Sequence, residues 1–551
     1  MPMSQNVVAS PEIWPKHPQD GVRIMVQWPT EITDLITQET RFGGRILRCF
    51  SGRPTSLNAM FSKALARAPR AEALVSGATR MTYSQLDSAA AHLAGGLRAA
   101  GVESGDRVAL LLGNRTEFLT TLLACLRLGA IAVPINIREG TPELEYILAH
   151  CGARVLIHGP EVADRLPARS TLPKLAHVVR IGTPEFTALE TAAPAAPVES
   201  AEEETAVILY TSGTTGRPKG AMLTHLNIIH SAMHFEMCMG LGSAERSLLS
   251  VPASHVTGLI ATIFTMVQTA GCTVMLETFR AEDFLALAAA EKVTQTLMVP
   301  AMYNLFLLRC TVADYDLSHW RIGGYGGAPM PRSTIAQLSE KLPNLTLMNA
   351  YGSTEVTSPA TILPRGYGTS RADSVGIPVP CGEIRIVDPQ GNDVPDGTHG
   401  ELWIKGPMVV PGYWENAEKT ASEFTDGYWK SGDVGSRDAD GFICLHDRRK
   451  DMIIRGGYNI YSAEVENALT AHPSVIECAA IGRPDPVLGE KLHVFVYTDD
   501  PALDAVTVQR FVRSHLADYK APDFVTFTDT PLPRNANGKI IKTTLRAQEI
   551  P

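Results

Sequence analysis

Residues 210–220 read YTSGTTGRPKG, a polar, glycine-rich loop set between an apolar strand and a helix. Thr205 to Tyr210 (TAVILY) supply the strand, and the helix begins after Leu223 in THLNIIHSAMHFEMCM, with Thr224 as its N-cap. The hydroxyls of Thr211, Ser212, Thr214 and Thr215, with Gly213, Gly216 and Gly220, let backbone and side-chain donors converge on a phosphate chain. Lys219 adds a positive charge. The loop is not G-x-x-x-x-G-K-[ST], because Gly213 and Gly216 are too close together and Lys219 is followed by Gly220. A phosphate-binding α/β fold outside the P-loop NTPases is the expectation.

The 551 residues exceed one domain at roughly 100–200 residues each. With 45% apolar and 19% charged residues the chain can bury large cores. A net charge of −9 argues against a nucleic-acid surface, since there is no basic excess to neutralise phosphates. The nine cysteines form no CxxC pair, so metal-ligand spacing is absent and reduced, mostly buried thiols are expected. Residues 1–20 carry Pro2, Pro11, Pro15 and Pro18 and no apolar core, so no signal peptide is read, and the sequons at Asn114 and Asn344 are taken as accidental. Ser247–Leu276 has no Asp, Glu, Lys or Arg, but its prolines, glycines and His255 point to a buried helix and core strand rather than a membrane span. A cytoplasmic protein is expected.

From Ser56 to about Arg365 helix-like and strand-like segments alternate, among them Tyr83–Ala100, Arg107–Leu112, Thr116–Leu128 and Ala130–Pro134. This predicts parallel sheets covered by helices, in two successive halves around Tyr83–Val155 and Ala206–Val299. From Gly366 to Cys444 short strands are broken by PQGND, PDGTHGE and ADG turns, a small β-rich subdomain. Beyond Asp447, helices at Ala463–Ala471 and Val506–Asp518 and strands at Val475–Ile481, Leu492–Thr498 and Phe524–Thr528 predict a separate α+β domain. The expected fold class is therefore α/β: a large N-terminal domain (1–449) of two parallel-sheet subdomains plus the β-rich subdomain, followed by a mobile α+β C-terminal domain (450–551).

Five further segments fit the same chemistry. Tyr325–Pro329 (YGGAP) offers small residues on which a flat ring can lie, though alone it also reads as a tight turn. In Asn349–Glu355 (NAYGSTE), Tyr351 can stack on a base, Thr354 can donate to phosphate and Glu355 can hold Mg²⁺. Trp429–Asp433 (WKSGD) puts on a turn a carboxylate able to accept from both ribose hydroxyls, though alone it reads first as a plain turn aspartate. Asp447–Ile460 (DRRKDMIIRGGYNI) places charges and a glycine pair at the domain boundary, where a dihedral change reorients a whole domain. Pro533–Ile540 (PRNANGKI) presents Lys539, which by itself reads as a solvated surface lysine.

In this order and spacing the six segments resemble the adenylate-forming superfamily of acyl-CoA synthetases, firefly luciferase and peptide-synthetase adenylation domains, over residues 56–545. The resemblance implies that Thr211, Ser212, Gly213, Thr214, Thr215, Gly216 and Lys219 hold the ATP triphosphate. Gly327, Ala328 and Pro329 would line the adenine, with Asn349 and Tyr351 nearby. Thr354 would contact the α-phosphate, Glu355 would bind Mg²⁺, and Asp433 with Arg448 would bind the ribose. Lys539 matches the lysine bridging the acid's carboxylate and the α-phosphate. Lys450 matches the hinge, and Gly456 and Gly457 the segment presented to the coenzyme A thiol. The acyl pocket would be walled by His255, Val256, Thr257, Ala261, Tyr325, Gly326, Ala350, Val356, Ser358 and Pro359, with His255 also gating the thiol's passage or serving as a plain wall residue.

Two departures stand out. Ser462 replaces a usual proline, with a looser helix start expected, and Ala350 replaces a frequent glycine, narrowing the pocket floor. No pocket residue carries a formal charge if His255 is neutral, which disfavours dicarboxylates and amino acids. Fatty and aromatic acids remain, fatty acids being slightly preferred. The expected partners are a small carboxylic acid, ATP and coenzyme A. Loading of a separate carrier protein and non-catalytic adenylate binding are the alternatives.

Overall fold

The computed structural model describes residues 25–211, 217–456, 458–535 and 539–548. The chain divides into two compact units. One runs up to Ile384 and includes Ile404–Lys430 and Ala439–Ile443; the other holds Arg385–Trp403, Ser431–Asp438 and the chain from Cys444 onward.

Two sheets organise the first unit. The six-stranded sheet runs Lys219–Thr224, Thr205–Thr211, Ile131–Pro134, Arg107–Leu111, Val155–His158, His177–Arg180. It is parallel except for the hairpin of its first two strands. Val108 to Leu111 are all buried, the continuous apolar run of a strand covered on both faces. The nine-stranded sheet has a parallel centre formed by Thr346–Tyr351, Ile322–Tyr325, Gln295–Met298, Arg246–Leu249, Cys272–Met275 and Glu72–Ser76.

Helices form where the patterning predicts them, and their ends are chemically marked. Tyr83–Ala99 starts in a Thr82/Gln85 capping box, and Thr116–Leu128 stops at Gly129, φ 68°. The two halves are not successive, however. Thr205–Thr211 pairs with Ile131–Pro134, and Glu72–Ser76 pairs with Cys272–Met275, so each sheet takes in a two-stranded hairpin from the other side of the chain order. Apolar periodicity says that a strand is buried; it does not say beside which neighbour.

An aromatic core fixes one strand end. Phe284, Phe306, Tyr303 and Trp320 are fully buried, with ring centroids 5.6–6.1 Å apart. Trp320 Nε1 donates to Ile322 O at 2.9 Å and Tyr303 Oη to Gly324 O at 2.9 Å. These bonds lock the strand that ends at Tyr325. The uncharged stretch after Ser247 contains a π-helix, Thr257–Phe264, continued by the α-helix Thr265–Thr269 and the strand Cys272–Met275. Thr265 Oγ1 donates back to Ile260 O at 2.8 Å, taking up a carbonyl in the wider turn. Among the described residues no helix is long and apolar enough to cross a membrane. The nine cysteines are free, seven of them buried.

Ahead of the region of resemblance, the hairpin Ile36–Arg41/Arg45–Phe50 packs onto the first unit. Trp28 Nε1 donates to Pro378 O at 2.7 Å. Arg53, its side chain largely buried, bridges Glu39 (2.7 Å) and Glu202 (2.7 Å).

In the second unit Ile453–Arg455, Gly489–Tyr497 and Glu477–Asp485 form an antiparallel sheet, edged by Tyr458–Ile460 and, parallel to Gly489–Tyr497, by Phe524–Thr528. Helices Ser462–Thr470 and Ala505–His515 cover it through Val465, Leu469, Val508 and Val512. The helix start at Ser462 is anchored rather than loosened. Its N–H and Oγ–H both donate to Asp447 (Oγ to Oδ1, 3.1 Å), and Oγ accepts from Lys542 Nζ at 2.7 Å. Proline could make none of these bonds.

Arg53 and Arg41 hold the Glu39 carboxyl down at about 2, below its ordinary 4.5. A depressed folded-state value stabilises the fold above the unfolded value, and that contribution is lost as pH falls between 4.5 and about 2. Glu39→Gln is expected to lower the melting temperature by about 1–3 °C at pH 6. The gap to the parent protein should then narrow below pH 4.5; a gap independent of pH would refute the assignment.

Candidate active site

The glycine-rich segment read as a phosphate loop joins two strands that pair as a hairpin. Thr211 and Lys219 face each other as the last and first paired residues of antiparallel strands, and Thr224 caps the following helix in a capping box with Asn227. The strand Lys219–Thr224 thus intervenes between loop and helix, which the sequence reading had joined directly. Ser212, Gly213, Thr214, Thr215, Gly216 and Gly457 lie outside the described residues. The hairpin is braced by residues 412–414: Met222 N donates to Gly412 O at 3.1 Å and Trp414 N to Gly220 O at 2.7 Å. This register brings Tyr413 and Glu423 to Lys219. Lys219 Nζ lies 2.7 Å from Glu423 Oε2 and 3.1 Å from Tyr413 Oη.

Tyr413 Oη in turn lies 3.0 Å from Oε1 of Glu355, which is buried. Glu355 sits on the turn Thr354–Val356, whose backbone is tied down by Val410 N donating to Glu355 O at 3.0 Å. Burial, with Glu355 and Glu423 beside it, pushes the Tyr413 hydroxyl far above its usual range, so it stays protonated. Glu355 presents a hard anionic oxygen, and among the described residues no three His, Cys, Asp or Glu side chains converge as a cage. One carboxylate with the remaining ligands drawn from phosphates and water suits Mg²⁺.

Tyr325 ends its strand opposite Asn349, whose Nδ2 donates to Ser374 O at 3.2 Å. A Cβ on Gly326 would meet Ala350 O at 2.3 Å, so only glycine allows this approach, and Gly327 turns at φ +78°. Gly327, Ala328 and Pro329 are exposed, a flat face free of large side chains. Ala350 and Tyr351 close the neighbouring strand, and Thr357 (φ 49°) and Ser358 (φ 34°) turn the chain back toward Pro359. Val356 and Tyr325 are fully buried, and the Tyr325 hydroxyl has no hydrogen-bond partner among the described residues.

His255 lies just ahead of the π-helix that carries Thr257 and Ala261, with Val256 buried beside it. Its Nδ1 is 3.2 Å from Thr257 Oγ1 and accepts from Thr257 N at 3.3 Å. Asn114 delivers this turn. Its buried amide donates to Val251 O (3.0 Å) and Leu276 O (3.0 Å) and accepts from Ala253 N (2.8 Å).

In the second unit, Asp433 and Arg448 come together at 3.1 Å. Glu401 accepts from Gly432 N at 3.1 Å and pairs with Arg449 at 3.0 Å, fixing the turn below them. Lys450 O accepts from Arg546 at 3.3 Å, and Arg546 pairs with Asp451 at 2.8 Å. Gly456 sits at φ 58° and donates to Leu488 O at 2.7 Å. Lys539 is exposed, its backbone joined to Asn535 by two bonds of 2.9 Å.

Sequence reasoning missed Tyr413, Glu423 and Asn114. The run GYWENAEKTASEF shows Asn416 as an N-cap for Ala417–Glu423 but not what the helix end faces, and Asn114 read only as a sequon.

Residues 61–414 match the profile of the AMP-binding enzyme family, and residues 464–539 match that of the AMP-binding enzyme C-terminal domain. A feruloyl-CoA synthase of Amycolatopsis sp. is 39% identical over 87% of this chain and 96% of its own length. The long-chain-fatty-acid–CoA ligase FadD13 of Mycobacterium tuberculosis (strain ATCC 25618 / H37Rv) is 34% identical over 87% of this chain and 96% of its own. Among solved structures, the O-succinylbenzoate coenzyme A synthetase of Bacillus subtilis in complex with ATP and magnesium ion superposes with a TM-score of 0.80. It is 30% identical and covers 88% of this chain and 98% of its own.

Asn114→Ala would strand the Ala253 amide and two carbonyls in a buried turn, costing about 1–3 kcal/mol. A melting temperature unchanged from the parent's would contradict the anchoring role.

Proposed function

The chain belongs to the AMP-binding enzyme family, and from that premise we infer the roles of its residues in activating a carboxylic acid. The reaction is that of a carboxylate–CoA ligase. An acid oxygen attacks the α-phosphorus of ATP, the bond to the β-phosphate oxygen breaks, pyrophosphate leaves and acyl-AMP forms. The coenzyme A thiol then attacks the acyl carbon and AMP departs. No general base is needed in the first step, because the acid is already ionised at neutral pH. The obstacle is like charge meeting like charge, so cationic and N–H donors must be aimed at the α-phosphate.

Thr211, Lys219 and the loop between them are assigned to the triphosphate, and Thr354 to the α-phosphate. Gly327–Pro329, Asn349 and Tyr351 are assigned to adenine, and Asp433 with Arg448 to ribose. Glu355 would hold Mg²⁺, which supplies charge neutralisation at the phosphates. Lys539 is assigned to the carboxylate and α-phosphate, with Lys450 as the hinge between residues 1–449 and 450–551. Gly456 and Gly457 are assigned to the thiol side. The observation that carries this reading is the Lys219–Tyr413–Glu355 arrangement: a cation and a buried carboxylate tied by one hydroxyl beside the loop's closing strand. Nine free thiols favour a reducing, cytoplasmic setting.

For the acid, an aromatic tail bearing a polar substituent is favoured over an alkyl chain, which revises the slight preference drawn from sequence. The 39% identity to a feruloyl-CoA synthase supports this choice. A pyrophosphate-release screen with coenzyme A present should rank hydroxylated or methoxylated cinnamate-type acids above long-chain fatty acids; the reverse order would overturn the preference. An isolated carrier protein in place of coenzyme A tests the alternative acceptor.

Lys539→Ala is expected to reduce acyl-AMP formation by about 10²–10³-fold while largely sparing thioester formation from supplied acyl-AMP. Equal loss in both half-reactions would remove Lys539 from its role. Lys450→Pro should slow the second half-reaction more than the first.

A further inference from the structure

The Lys219 ammonium is fully engaged by protein groups. Both Glu423 carboxylate oxygens lie within 2.8 Å of Nζ, Tyr413 Oη lies at 3.1 Å, and the face of the tyrosine ring is 4.4 Å away. Tyr413 has one phenolic proton but two carboxylates against its oxygen, Glu423 at 2.5 Å and Glu355 at 3.0 Å. Because the oxygen also accepts from Lys219, that proton serves one carboxylate at a time. Two carboxylates therefore share one ammonium and one hydroxyl proton, and the group carries excess negative charge. Glu423 is held at the end of the helix Ala417–Glu423, which Asn416 caps at Lys419 N (3.1 Å).

We propose that Glu423 is a positioning residue that parks Lys219 against Tyr413 and exchanges it with the outer phosphates of an arriving triphosphate. The proposal rests on the assignment of Lys219 to the phosphate loop. The pair suits exchange because both side chains keep some solvent contact, 17% for Lys219 and 29% for Glu423, so separating them leaves neither charge stranded. In the absence of nucleotide, Glu423 keeps the ammonium at the head of its strand, opposite Thr211. When pyrophosphate leaves, Glu423 reclaims the lysine and so competes with the departing anion. The ion pair thus sets how tightly the outer phosphates are held, but not how tightly the adenosine and α-phosphate are held.

The test is equilibrium binding of ATP, pyrophosphate and AMP to the full chain, measured calorimetrically for the parent, Glu423→Gln, Lys219→Ala and the double variant. Glu423→Gln should bind ATP and pyrophosphate roughly two- to fivefold more tightly. It should leave AMP affinity unchanged and have no effect in the Lys219→Ala background. Unchanged or weaker ATP binding by a folded Glu423→Gln protein, or an equal shift for AMP, overturns the exchange. If Glu423→Gln does not fold, Glu423→Asp, with a shorter reach, should still tighten ATP binding, and failure to do so overturns the proposal. Lys219→Ala that leaves ATP affinity untouched would instead remove the loop assignment itself. That result differs from failure of the tether alone, in which Lys219→Ala weakens ATP binding and Glu423→Gln changes nothing.

Discussion

The antiparallel register that sets Thr211 opposite Lys219 is the constraint on which the rest of the first unit depends. It fixes both ends of the glycine-rich connection, and the second strand offers its free edge to residues 412–414. Through that edge Tyr413 reaches Glu355, on the turn between the strands Thr346–Tyr351 and Thr361–Ile362 of the other sheet. This hydroxyl is one of the links between the two sheets, alongside the Asn114 bonds to Val251 and Leu276. A slip of one residue would turn Lys219 to the opposite face and break the connection.

Electrostatics then explains why so few charged groups suffice. The site must admit a polyanion and an acid, yet the chain as a whole is acidic. Two of its cations are paired locally, Lys219 with Glu423 in the first unit and Arg448 with Asp433 in the second. Pairing keeps unneutralised cations from being buried, while exposure at each pair keeps the bonds exchangeable. By contrast, the arginine that clamps the N-terminal hairpin, Arg53, is largely buried between two carboxylates and reads as a permanent fastening.

Local chemistry was the legible part of this sequence. Helix limits at Tyr83–Ala99 and Thr116–Leu128 follow from caps and periodicity, and Phe524–Thr528 falls where alternation predicts it. The phosphate loop and the Asp433–Arg448 pair were named from motifs. Partnerships distant in sequence were not legible. The exchange of strands between the two sheets, Asn114 gripping the turn before His255, and Tyr413 meeting Glu355 all join residues whose spacing encodes nothing about contact. The π-helix at Thr257–Phe264 was also hidden, since its composition matches that of an ordinary apolar helix. Helix-start propensity alone does not account for Ser462, whose amide and hydroxyl act through Asp447 and Lys542.

The grip of Arg546 on the Lys450 carbonyl has a mechanical corollary. The C-terminal helix Lys542–Arg546 is riveted to Ser462, Glu466 and Asp451, so the Lys450 carbonyl is fastened to the same cluster. Of the two soft torsions at this residue, the one on the carbonyl side is braced. One guanidinium thus clasps both the Lys450 carbonyl and the Asp451 carboxylate, so the backbone at 450 is held by the last helix of its own unit.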